Sequence, residues 1–146
     1  MKKTLFEEFE TISKIRSRKE KISAFQRMKK ENEHILLFLH LVFNSQLEWV
    51  VNPKELPKYK PCDDNESSMY HRLRAETRKL PRFIKTGPYP NLAQKKRDEL
   101  FQTVLETIHP QDAELLVFIV ENRELPFTNL KKDLIQEAFP KENFGE

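Results

Sequence analysis

Glycine is nearly absent: Gly87 and Gly145 are the only two in 146 residues. The phosphate cradles of P-loops, dinucleotide-binding folds and kinases each need several glycines close together, because only a backbone without Cβ wraps an anion so tightly. All three are excluded. Cysteine is scarcer still. Cys62 stands alone, so there is no intrachain disulfide and no thiolate zinc site. Beside Asp63 and Asp64 it is a poor candidate nucleophile.

Long apolar runs are missing too. The longest, Ile35 to Phe43, falls well short of the ~20 residues that a membrane span requires. Met1-Lys2-Lys3 leads directly to Glu7 and Glu8, without the apolar core of a secretion signal. There is no HExxH, and His34 and His40, six residues apart, would point to different faces of a helix. Asp63-Asp64-Asn65-Glu66 offers oxygens for a hard cation but lacks the glycine and the distant glutamate of a calcium loop. It reads as a solvated acidic loop. The expectation is a soluble, cytoplasmic, non-enzymatic protein that holds no metal and no cofactor.

What the chain does have is phenylalanine, 11 of them, against 38% apolar residues in all. That is enough to bury a core, and the length suits one domain covering residues 1–146. Leu5, Phe6, Phe9, Ile12 and Ile15 recur at helical spacing. Ser17 with Glu20 three residues on reads as a capping box that opens a second helix bearing Ile22, Phe25 and Met28. Asn32 is expected to cap a central helix from Glu33 to about Phe43, in which His40 is a satisfied core or boundary histidine.

Residues 45–90 form an irregular insertion stiffened by Pro53, Pro57, Pro61, Pro81, Pro88 and Pro90, with one short helix from Ser67 or Ser68 to about Lys79. Its Trp49, Tyr59, Tyr70, Phe83 and Tyr89 favour an ordered segment packed on the helices. Regular helix resumes after Asn91 and runs to His109-Pro110. Pro110 opens another helix with Asp112 at its positive end, and Pro126 closes it. Thr128 or Asn129 caps a last helix carrying Leu130, Leu134, Ile135 and Phe139, which Pro140 stops, leaving a short tail at 141–146. The fold class is all-α, a single-domain bundle of about six to seven helices.

Charge is distributed unevenly. Residues 1–68 carry a net +2, residues 69–97 a net +8, and residues 98–146 a net −7. Either the middle block steers a polyanion to one side of the molecule, or the acidic third folds against it and neutralises it. Arg72, Arg74, Arg78, Lys79 and Arg82 are the densest cationic set, with Arg74 and Arg78 one helical turn apart. Lys54, Lys58 and Lys60 flank Tyr59 in a proline-stiffened loop suited to tracking a nucleic-acid backbone. Asn129, Lys131 and Lys132 lie near the start of the last helix, where a phosphate would be welcome.

Two stretches have a familiar order. The first runs from Arg18-Lys19-Glu20-Lys21-Ile22 through Lys30-Glu31-Asn32-Glu33, Phe43-Asn44-Ser45 and Trp49-Val50-Val51 to Leu56-Pro57-Lys58-Tyr59-Lys60-Pro61. The second is Ile108-His109-Pro110-Gln111-Asp112-Ala113-Glu114-Leu115-Leu116, then Glu121-Asn122-Arg123-Glu124-Leu125, Leu134-Ile135 and Phe139-Pro140. Together they resemble the N-terminal, all-helical DNA-binding domain of T4-type phage ATP-dependent DNA ligases, and small standalone tailed-phage proteins that share it.

The resemblance implies sequence-independent binding of duplex or nicked DNA in phage DNA metabolism. The adenylation core is missing, and Lys85-Thr86-Gly87 does not replace its lysine motif, so no strand joining is implied. The glycine loop before the last helix is also missing: Arg123 to Asn129 holds none, and Glu124 stands there instead. That departure and the acidic third leave a second reading open, an adaptor or inhibitor of a host or phage protein.

Overall fold

Thr4 and Glu7 start the fold with a full capping box. The Thr4 hydroxyl accepts from the Glu7 amide at 3.1 Å, and the Glu7 carboxylate accepts from the Thr4 amide at 3.2 Å. The computed structural model describes residues 3–62, 70 and 72–145. Among them are seven α-helices: α1 (Leu5–Ser13), α2 (Arg18–Glu31), α3 (Ile35–Phe43), α4 (Arg72–Glu76), α5 (Gln94–Thr107), α6 (Pro110–Asn122) and α7 (Lys132–Ala138). There is no strand among the described residues, only one antiparallel bridge between Trp49 and Ile84. The fold is all-α, as expected.

One apolar cluster runs through all of it. Phe9, Phe25 and Phe38 meet at ring separations of 6.0–6.2 Å where α1, α2 and α3 converge. Phe83 and Phe101 meet edge-to-face at 5.1 Å, joining the irregular segment to α5. Each such ring contributes roughly 1.5–3 kcal/mol of burial, so the phenylalanines alone explain why no staple is needed. His40 is the satisfied boundary residue expected of it. Its ring lies 4.4 Å from that of Phe144, with Nε2 2.9 Å from Glu142 and Nδ1 3.0 Å from Asn44.

Several expected boundaries moved, each for a local reason. Asn32 does not cap α3. Its amide nitrogens, backbone and side chain, both donate to Met28 O and so close α2, while α3 begins at Ile35 with no side-chain cap. At Ser17 the hydroxyl accepts from the Glu20 amide, the forward half of the box. The short basic helix changes type: α4 gives way to a 3₁₀ helix over Thr77–Phe83. Pro81 has no amide for an α-helical bond to Thr77, and its ring would strike that carbonyl; tighter winding avoids both. The start expected at Ser67 or Ser68 lies outside the described residues.

α6 ends at Asn122, before Pro126. Arg123 takes the left-handed conformation (φ 57°) that stops it, without being a glycine. Thr128 and Asn129 do not cap α7; Lys131 occupies the cap position with no side-chain bond, and Asn129 instead donates to Ser13 O at 2.6 Å. Residues 141–145 are not a loose tail. Phe144 is fully buried, and its carbonyl accepts from the Ser45 amide.

Insertion 45–90 is held by the Trp49–Ile84 bridge. Val50 donates to Phe83 O, Lys85 donates to Glu48 O, and the Trp49 indole N–H donates to Leu41 O at 3.0 Å. Gly87 is required here, because a Cβ would lie 2.0 Å from the Pro81 carbonyl oxygen.

Candidate nucleic-acid interface

The arginine-rich set divides into fold and surface. Arg74 pairs with Glu8 at 2.9 Å and donates to Tyr70 O, with only 15% of its side chain exposed. Arg72 donates to Thr107 O at 2.8 Å. The Arg82 guanidinium lies 5.0 Å from the Phe83 ring, its Nε buried. These three are half-buried and make contacts within the fold, so the expected cationic set of Arg72, Arg74, Arg78, Lys79 and Arg82 is not equally exposed. Arg97 also makes contacts within the fold. It is buried, donating to the carbonyls of Arg82 and Tyr89, and so fastens the irregular segment to α5.

Arg78 and Lys79 remain exposed. Lys79 stands 3.8 Å from Glu76, while Arg78 shares with Arg74 the wall of a cleft of about 640 Å³. Glu8, Glu31, Glu33 and His34 line the same cleft, so its charge is mixed.

In the proline-stiffened loop, Lys58 and Lys60 are exposed and form no ion pair among the described residues, whereas Lys54 reaches Glu121 at 3.7 Å. Tyr59 is half-buried and packed against the core. Burial and the nearby Glu114 carboxylate push its phenol above the ordinary tyrosine range.

Near α7 the geometry differs from the expected anion-binding helix end. The helix has seven residues, and Asp133 sits in its first turn. Lys132 is half-buried, and it does not share the concavity that Asn129 and Lys131 line. That groove, about 310 Å³, brings them to Arg16, Arg18 and Lys21 at the start of α2. Arg18 is bridged to Glu137 at 2.8 Å and Asp133 at 3.4 Å, and its contact with Glu137 raises its pKa further. Lys131 is paired with Glu124. Arg16 and Lys21 were not among the expected site residues. No local signal marks them, because tertiary packing alone brings them to Asn129 and Lys131.

The described part of the acidic third acts on the basic block through the charge of Arg74 on Asp112, not through ion pairs. Among the described residues, carboxylates of 98–145 make ion pairs with Arg18, His40, Lys54 and Lys131, and none with a cation of 69–97. Exposed Lys95 and Lys96 occupy the first turn of α5, which contains no acidic residue and has no side-chain cap. No group of three or more His, Cys, Asp or Glu that could hold a metal ion exists among the described residues; Asp63 to Glu66 lie outside them. Nor is any helix among them long and apolar enough to cross a membrane.

These features define a small all-helical domain whose described surface carries both ion-paired and exposed cations. The model of a family of unknown function, DUF6433, matches residues 9–126, from within α1 to just past α6, and the chain belongs to that family. No curated protein and no solved structure matches it.

Proposed function

We propose that this protein is a non-enzymatic module that binds duplex or nicked DNA through its phosphates, without sequence preference, as its resemblance to the ligase domain implies. The observation that carries the reading is the pairing pattern: among the described residues, the ion-paired carboxylates of the acidic third face Arg18, His40, Lys54 and Lys131, and exposed Lys95 and Lys96 are in no ion pair. Two lysines at the positive end of a helix work against the fold. A bound phosphate would offset both the lysines and the uncapped amides of α5. Lys58, Lys60 and Arg78 add exposed cations that form no ion pair among the described residues.

The test is binding to labelled nicked, intact and single-stranded DNA at two salt concentrations. Affinity for duplex should fall steeply with salt, with a log–log slope of about −0.9 for each phosphate contacted. Lys95→Glu with Lys96→Glu should weaken binding by at least tenfold and make the slope shallower by about 2. No binding even at low salt overturns the reading and points to a protein partner instead.

A further inference from the structure

Lys21 is the anomaly of the basic groove. The residue is 8% exposed and lines the groove, yet among the described residues its ammonium takes part in no hydrogen bond or ion pair. Charged side chains are almost never so buried unless something opposite accompanies them. A lysine that merely covers apolar surface with its stem extends its head into open water. Lys21, buried as a residue, lines a concavity whose other cations are Arg16, Arg18 and Lys131.

The carboxylates near the groove serve other partners. Asp133 and Glu137 hold Arg18, and Glu124 holds Lys131. Asp133 is the one acidic residue lining the groove, and it lies against Arg18. Arg16 and Lys21 are left uncompensated. The start of α2 adds to them: Ser17 satisfies the Glu20 amide, while the amides of Arg18 and Lys19 have no partner in the structure. The opposite wall carries the Thr128 hydroxyl and is fixed to α1 by the bond from Asn129 to Ser13 O.

We propose that this groove is a phosphate-binding pocket, with Lys21 as its recessed cation and Arg16 as the fork at its rim. Arg16, Lys21 and the first amides of α2 are donors or positive charges, and a tetrahedral phosphate accepts from several such donors at once. The proposal goes beyond the duplex-binding reading. It assigns a different surface, on α2 and the segment before α7, and does not involve Lys95 or Lys96. The phosphate can come from a strand terminus, an internal phosphodiester or a free phosphate, and the arms of the test separate these.

The experiment is a two-dimensional NMR titration of the whole chain with inorganic phosphate, against chloride at equal ionic strength. A 5′-phosphorylated oligonucleotide and the same strand without its terminal phosphate form the other arms. Phosphate should shift the amides of Arg18, Lys19, Lys21 and Thr128 saturably, and Lys21→Met should abolish this while Arg16→Gln weakens it at least fivefold. Lys21→Met keeps the apolar stem, so it should fold; phosphate should then raise the melting temperature of the wild type and not of the variant. A preference of tenfold or more for the phosphorylated strand identifies a terminal phosphate, and equal binding identifies a phosphodiester. Binding of inorganic phosphate but neither strand identifies a free phosphate. Shifts that chloride reproduces, or that survive in Lys21→Met, overturn the pocket. Loss of duplex binding in the Lys95/Lys96 variant with the phosphate shifts intact would leave it standing.

Discussion

The carboxylate of Asp112 accepts from the backbone amides of Leu5 at 3.3 Å and Phe6 at 2.8 Å, so a residue in the first turn of α6 holds the first turn of α1. The side chain is fully buried, and burial pushes its pKa up to about 6, against the pull of those two amides and of Arg74. The folded protein therefore holds a proton at Asp112 in a range where the unfolded chain has released it.

The sign of the pH dependence follows. With the folded value above the unfolded one, stability from this group is full below about pH 4 and is lost as pH rises through about 6. Unfolding free energy should increase by about 1 kcal/mol between pH 7 and pH 5 from Asp112 alone. Urea titrations at the two pH values check it: Asp112→Asn should remove that increment, and an unchanged increment would assign it to other groups.

Arg74 and Glu8 make the second prediction. Their side chains are 15% and 25% exposed, and removing one leaves the other poorly solvated. Arg74→Ala should cost about 2–4 kcal/mol, whereas Arg78→Ala, at an exposed position, should stay within about 0.5 kcal/mol. Denaturation midpoints decide between them. Comparable losses at both positions would mean that the buried pair contributes nothing special. It also follows that Arg74→Glu is a poor probe of DNA binding, since it attacks the fold.

The end of the chain gives a third. Phe144 is fully buried against His40, and its carbonyl binds the Ser45 amide. Phe144→Ala should destabilise by about 3–5 kcal/mol, measured by thermal or urea unfolding. A loss under 1 kcal/mol would show that residues 141–145 pack without consequence.

How much of this could be read from the chain depends on range. Helical spacing identified the helices, because periodicities such as Leu5-Phe9-Ile12 are local and burial follows them directly. Pro110 and Ser17 marked helix starts for equally local reasons. The failures were where a distant residue decided the outcome. Asn129 looks like a cap until Ser13 O, 116 residues earlier, takes its amide. Arg72, Arg74 and Arg97 look like free charge until Thr107 O, Glu8 and the carbonyls of Arg82 and Tyr89 claim them. Phe144 was placed in a tail because nothing near it in sequence forms its pocket. The groove was half legible: Asn129 and Lys131 were expected at a site, but Arg16 and Lys21 join them only through tertiary packing.

Glu124 stands against Lys131, and that pair sets the last prediction. Both side chains are substantially exposed, 39% and 48%, so the pair is worth at most about 1 kcal/mol and Glu124→Gln should leave stability nearly unchanged. What changes is the charge presented to the groove. Freed of its carboxylate, Lys131 becomes a third uncompensated cation beside Arg16 and Lys21. Phosphate affinity of the Glu124→Gln variant should rise several-fold. If the phosphate belongs to DNA, the salt slope should steepen by about 0.9, as one added contact requires. The control is a double-mutant cycle in which Lys131→Gln is made in both backgrounds. The gain should vanish when both residues are changed; a gain that persists without the lysine would trace to general loss of negative charge rather than to the groove.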